Sequence, residues 1–202
     1  MGMSNIKRGE AMSKKNNDKR PDIDQQLYDS GIIVLPSDID DDSLLPAVKA
    51  AISMGTQRHV DTVRVFLNSY GGDTGQAFQL VEILLGLPQK VITYGIGDVC
   101  SAGVFIFLAG DERIATPRAV FLLHQYSWGK QGKYHELKAR RGVEDAYFAS
   151  VYKYVAERAS VEAADLNNAK SDTWIMAKEA KRVKVVTKLV NRIKLPKLAG
   201  GK

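Results

Sequence analysis

Ser101, His124 and Asp172 are residue types that together could carry out nucleophilic acyl transfer. A serine hydroxyl needs a base to take its proton, and that base needs a carboxylate to fix its tautomer and stabilise the imidazolium. Sequence separation places no limit on such a set. Each member alone has a plainer use. Serine is a favoured helix N-cap, a lone histidine at the end of the apolar run "AVFLLHQ" is commonly hydrogen-bonded structure, and an Asp followed by Thr is a common turn or cap. The stretch "GIGDVCSAGVFIFLAG" adds a rival, because Cys100 stands directly before Ser101 and a thiol is the better intrinsic nucleophile. Position favours the serine. Ser101 starts the apolar helical run, where backbone N–H groups point outward towards a developing oxyanion, whereas Cys100 is expected to turn into the core, as free cysteines usually do.

The turn "NSYGGDTG" supplies further backbone. Gly71 and Gly72 lack a Cβ, so their amides can approach a substrate carbonyl closely. Other chemistries lack their signatures. Neither a G-x-G-x-x-G nor a Walker A sequence occurs, so the chain shows no means of using ATP. One cysteine with His59, His124 and His135 gives no zinc spacing and no disulfide, so no metal and no cofactor is expected.

These residues must be positioned by the elements around them. "GIIVLPSDI", "TVRVFLNS" and "KVITYGIG" read as buried strands; "DDSLLPAVKAAISMG" and "GGDTGQAFQLVEILLGL" read as the helices between them. "SAGVFIFLAG" reads as a short buried helix, "ERIATPRAVFLLHQ" as two strand pieces broken at Pro117, and residues 134–158 and 161–169 as a long and a shorter helix. Such alternation predicts an α/β fold with right-handed crossovers and a mostly parallel sheet. Sites in these sheets lie where strands end and helices begin, which directs attention to Ser69–Gly75, Gly97–Gly103 and the strand end at His124.

The 202 residues suit one core, and the net charge of +6 is unevenly placed. Residues 1–20 carry +4 and residues 178–202 carry +8, leaving a body of −6. The organisation expected is a basic, flexible segment over 1–22, a folded domain over 23–190 and a basic tail over 191–202. Solvated tails account for the charge, and nucleic-acid binding is not expected. The N-terminus has no apolar signal core, and Ile6 stands where a myristoylation sequence needs Ser or Thr. No apolar run approaches the roughly 18 residues of a membrane span, so a cytoplasmic location without membrane contact is expected.

Taken in order, "FLNSYGG", "GIGDVCSAGVFIFLAG", "ERIATPRAVFLLHQ", "QGK…ELKARR" and "SDTWIMAKEAK" resemble the proteolytic subunit of the Clp protease, ClpP, over roughly residues 24–190. The resemblance implies a serine endopeptidase of crotonase-like fold, built of stacked βαβ units with a protruding handle helix. It implies Ser101 as nucleophile, His124 as general base and Asp172 as the orienting acid, with the amides of Gly72 and Ala102 as oxyanion hole. Asp73 on one side and Ser127, Trp128 and Gly129 on the other are the implied edges that hold an extended peptide as an added strand. The implied assembly is a homo-oligomer of heptameric rings stacked as a tetradecamer, fed with unfolded polypeptide by an AAA+ unfoldase of ClpX or ClpA type.

Several positions depart from the family's pattern. Tyr70 and Tyr126 replace prolines, Ser171 an arginine, Met176 a capping serine and Lys184 a helix-ending glycine. The last three surround Asp172. Readings left open are a non-catalytic ring subunit, a phage-type maturation protease of this fold, and an acyl-CoA enzyme of the same fold, which would need no such triad.

Overall fold

Strands of a parallel sheet are covered on both faces, so they appear as near-continuous apolar runs. The runs noted above become those strands in a computed structural model that describes residues 22–57, 60–127, 129, 131–161 and 172–198. Strands β1 (Ile32–Val34), β3 (Thr62–Ser69), β5 (Lys90–Cys100), β6 (Glu112–Ala115) and β9 (Lys188–Leu189) pair side by side in that order, all parallel. Strand β7 (Val120–Leu123) pairs parallel with β5 and antiparallel with β8 (Thr173–Met176). A small parallel pair, β2 (Asp38–Ile39) with β4 (Gly71–Gly72), stands apart. The expected α/β fold with a mostly parallel sheet is present.

The helices are α1 (Ile23–Asp29), α2 (Asp41–Gln57), α3 (Thr74–Leu85), α4 (Ala102–Leu108), α5 (Tyr134–Arg158) and α6 (Ala177–Arg182). Leu44 and Met54 of α2, Leu80 and Leu84 of α3, and Ile106 and Phe107 of α4 are almost wholly buried against Val63, Val65, Leu67 and Phe121 of the sheet. Each such side chain contributes about 1.5–3 kcal/mol by burial. Another cluster, Ile32, Phe66, Tyr94 and Ile114, is covered by Leu27 of α1 and by Val190, Ile193 and Leu198 near the C-terminus. None of the helices described is long and apolar enough to cross a membrane. Most of the shorter helix expected at 161–169 lies outside the described residues.

One irregularity positions the site. Leu67 of β3 faces Gly95 of β5, but Ser69 faces Val99, so β5 carries a two-residue bulge. Asn68 fills it: its Oδ1 accepts the Asp98 N–H at 2.9 Å, and its amide occupies the space a Cβ at Gly97 would need. Gly97 therefore does not end the strand, as its type suggested. It lets the strand bend and change partner. Ile92–Gly95 pair with β6, whereas Asp98–Cys100 pair with β7.

The departures around Asp172 have structural counterparts. Met176 occupies the N-cap of α6 without a side-chain cap, and Glu179, the would-be partner in a capping box, instead holds Arg182 at 2.6 Å. That contact holds the Glu179 carboxyl below its usual pKa. Lys184, after the helix, has φ 59°, a left-handed conformation that suits glycine. Lys184→Gly is expected to raise unfolding free energy by about 1 kcal/mol. Urea denaturation checks this; an unchanged or lower midpoint would contradict it.

Candidate active site

Beyond the bulge β5 runs directly into α4, and Ser101 makes the corner. Its backbone is at φ 53°, ψ −123°, a conformation that costs a non-glycine residue about 1–3 kcal/mol. Its neighbours hold it there. The Ser101 N–H donates to Leu122 O at 2.9 Å, and its carbonyl accepts from the Val104 N–H at 2.9 Å. Although Ser101 stands at the N-cap position, its side chain makes no cap hydrogen bond. The ordinary capping use of a serine is therefore not the one made here.

Gly71 lies against this corner at φ 97°. A Cβ there would sit 2.7 Å from Ser101 Cβ and 3.1 Å from the Ala102 nitrogen, so only glycine fits. Gly72, at φ 145°, is backed by the main chain of Ile39. The turn is tied down by Ser69, whose Oγ donates to Ser37 O at 2.9 Å and accepts the Gly71 N–H at 3.2 Å. Ala102, fully buried, opens α4 with a first-turn amide that lacks an intrahelical acceptor.

His124 follows the last residue of β7, and the β5–β7 and β7–β8 pairings account for its surroundings. Cys100 is in register with Leu122, so the next residues along the two strands are Ser101 and Leu123. Leu123 is in register with Thr173 across the antiparallel pair, so Asp172 is at the position opposite His124. Ser101 and partly buried His124 line the same two cavities, while Asp172 is exposed at the strand start. Among the described residues, no hydrogen bond joins Ser101 to His124 or His124 to Asp172; catalytic contacts of an unliganded site often tighten only with substrate.

One cavity, about 10 Å³, includes Val104, Phe105, Leu123, Tyr152 and Val155 in its wall. The other, about 250 Å³, is bounded by Gly72, Thr74, Tyr126, Ser127, Phe148 and Val151. A groove of about 570 Å³ adjoins, with Asp73, Gly75 and Gly129 on its rim. Asp73 itself is the N-cap of α3, accepting the Gln76 N–H at 2.9 Å and donating its own N–H to Ile39 O at 2.7 Å. Trp128 lies outside the described residues. Cys100 is 2% exposed, and burial pushes its thiol pKa up, with Asp98 adding to the shift. A thiol in that setting is a packing group rather than a reactive one.

Helix α5 supplies a wall of apolar and aromatic side chains, not of catalytic residue types. Phe148 stacks on Tyr126 with ring centroids 3.4 Å apart. Phe148, Val151, Tyr152 and Val155 recur at helical spacing. That spacing was the available signal.

The sequence pattern of a family described as Clp protease matches residues 14–192. The chain belongs to the Clp protease family. With the family goes the ClpP/crotonase-like fold. The chain is 31% identical over 139 residues to the ATP-dependent Clp protease proteolytic subunit 2 of Pseudomonas aeruginosa, covering 64% of this chain and 66% of that protein. It is 24% identical over 200 residues to the proteolytic subunit 2 of Treponema denticola, covering 97% of this chain and 99% of that protein. A third relative, the proteolytic subunit 3 of Rhizobium meliloti, is 30% identical over 139 residues, 66% of this chain and 70% of the relative.

The two tyrosines that depart from the Clp protease pattern are both explained by contacts. The Tyr70 N–H donates to Ser37 O at 2.8 Å, extending the β2–β4 pairing with a bond that a proline could not make. Tyr126 gains the stack on Phe148, which ties the segment after His124 to α5. The Ser171 position lies outside the described residues.

Proposed function

We propose that this chain is a serine endopeptidase subunit that hydrolyses peptide bonds of unfolded polypeptides. His124 takes the Ser101 hydroxyl proton as Oγ bonds to the scissile carbonyl carbon. The oxyanion is held by the Gly72 and Ala102 amides, a kind of contact worth about 10²–10³ in rate per donor. Collapse breaks the C–N bond, and His124 passes the proton to the departing amine. Water then enters by the same route in reverse and releases the acyl group. Asp172 orients His124 and stabilises its imidazolium. The substrate lies extended between the chain after Gly72 and the segment Ser127–Gly129, with Asp73 positioning its edge as the cap of α3.

What supports this most is the Ser101 backbone, which is held in a costly conformation with its hydroxyl left out of capping and beside the cavities that His124 also lines. The proposal extends to a chamber of stacked heptameric rings in the cytoplasm, fed by an AAA+ unfoldase that supplies the ATP-dependent step. In it α5 serves as the handle between rings, and exposed Tyr134 and Val143 are apolar groups suited to that contact.

A serine-directed fluorophosphonate tests the assignment. Wild-type protein and Cys100→Ala are expected to be labelled, and Ser101→Ala is not. Labelling that survives Ser101→Ala, or is lost in a folded Cys100→Ala, would show that the nucleophile is another residue.

A further inference from the structure

Of Ser101 and His124, the histidine is the one whose placement the sheet explains least. Strand β7 ends at Leu123, so its pairing with β5 and β8 holds the chain only up to that residue. Among the described residues the imidazole makes no hydrogen bond to Ser101 or to Asp172, and Asp172 is exposed. A base without such a bond must be aimed by the backbone on either side of it. On the far side, two residues on, the Tyr126 ring lies flat on Phe148 of α5, with centroids 3.4 Å and ring planes 1° apart. His124 and Tyr126 border the same cavity of about 250 Å³, while Gln125 between them is exposed.

Helix α5 is in turn fixed to the helix that begins beside Ser101. Val151 and Val155 of α5 are buried in the core. The Tyr154 hydroxyl donates to Phe105 O at 3.0 Å, and Arg158 Nε donates to Leu108 O at 2.9 Å, both carbonyls of α4. A closed circuit results. It runs from Ser101 along α4, across to α5, through Phe148 to Tyr126, and from there two residues back to His124. Opening it at the stack leaves both helices anchored and loosens the segment that holds the base. The Clp protease pattern has a proline at this position, whose ring fixes φ by itself. In this chain the stack is a different means to the same end.

We infer that Tyr126 is a positioning residue for the base, holding His124 within reach of Ser101 through its stack on Phe148. The inference rests on the peptidase reading above. The stack requires a flat ring and makes no use of the phenol hydroxyl, so phenylalanine serves at 126 and leucine does not. An aromatic pair biases the base towards Ser101 by no more than its own energy, which limits the effect of its loss to about 3- to 10-fold. That loss falls on the chemical steps, which use the base. A residue that only walls the cavity would change substrate binding instead.

Steady-state cleavage of a short fluorogenic peptide tests this, together with fluorophosphonate labelling of each protein. Tyr126→Leu is expected to lower kcat by about 3- to 10-fold while KM stays within about 2-fold of wild type, and Tyr126→Phe is expected to keep the wild-type kcat. Phe148→Leu removes the same stack from the α5 side and is expected to give the same loss; it decides alone if Tyr126→Leu does not fold. The double variant is expected to be no slower than either single one, because the stack can be lost only once. A kcat unchanged in the leucine variants, a loss found in KM alone, a Tyr126→Phe loss equal to that of leucine, or single losses that multiply in the double variant each overturn the inference. Any of these in a protein whose wild type labels at Ser101 overturns this inference alone, whereas a wild type that neither labels nor cleaves overturns the peptidase reading as well.

Discussion

Ser101→Ala is expected to lower peptide hydrolysis by at least about 10⁴-fold, as removal of a triad nucleophile does, and Ser101→Gly is expected to be equally inactive yet more stable than the wild type. The second half separates a nucleophile from a cap. At φ 53°, ψ −123° a serine is strained, and glycine is the residue for which this conformation carries no steric cost. Relief of about 1–3 kcal/mol of strain, less the 0.5–1 kcal/mol that glycine adds in unfolded-state entropy, leaves a net gain of about 1 kcal/mol. In a domain of this size that raises Tm by about 2–4 °C. Ser101→Ala keeps a Cβ and gains none of it. If Ser101 were an ordinary N-cap, alanine would cost about 1 kcal/mol and glycine only a few tenths. Calorimetry on the two variants decides: a glycine variant no more stable than wild type would remove the strain argument, and with it the main structural support for Ser101 as nucleophile.

Why this strain was not legible in the sequence follows from what a serine shows there. "GDVCSAG" displays a polar residue between a strand and an apolar helix, and that pattern is the same for a cap and for a strained corner. The difference lies in contacts from distant elements, the Leu122 carbonyl and Gly71. The bulge in β5 was hidden for the same reason: Gly97 has the composition of a strand end, and only Asn68, 29 positions earlier in the chain, explains why the strand continues. By contrast, Thr62–Ser69 and Tyr134–Arg158 were readable, because an eight-residue strand with Val63, Val65 and Leu67 at alternate positions and an uninterrupted 25-residue helix are each long enough to be recognised. Strand β8 has four residues with Trp174 and Met176 exposed, so it lacks the alternation of a half-buried strand. Yet β8 is the element that brings Asp172 opposite His124. The candidate triad was therefore visible as residue types, while the pairing that sets its third member was not.

The largest stability effect is expected at Arg113, a residue that sequence inspection passes over as one more charge. Its guanidinium is buried and, among the described residues, makes no hydrogen bond to a carboxylate. Nε donates to Val185 O at 2.9 Å, Nη1 to Gly110 O at 3.1 Å, and Nη2 to Arg158 O and Lys184 O at 2.9 Å each. These carbonyls lie at or just beyond the C-terminal ends of α4, α5 and α6, where helix dipoles concentrate negative charge. Arg158 adds a second fork, donating to Leu108 O at 2.9 Å and Gly110 O at 2.9 Å. Burial, and then the neighbouring Arg158 charge, lower the Arg113 pKa, but a guanidinium still stays protonated. The two arginines thus join the ends of three helices, of which α4 begins beside Ser101 and α5 carries Phe148 and Tyr152. Arg113→Met fills similar volume but strands several buried carbonyls, with an expected loss of about 3–5 kcal/mol, the range for removing one member of a buried charged network. Arg113→Lys keeps the charge without the planar fork and cannot reach four acceptors spread over three helix ends, so it is expected to recover less than half of that loss. Urea denaturation at fixed protein concentration measures both. A lysine variant close to wild type would mean that charge alone matters here, and a methionine variant within about 1 kcal/mol of wild type would mean that the helix ends are held by packing without this network.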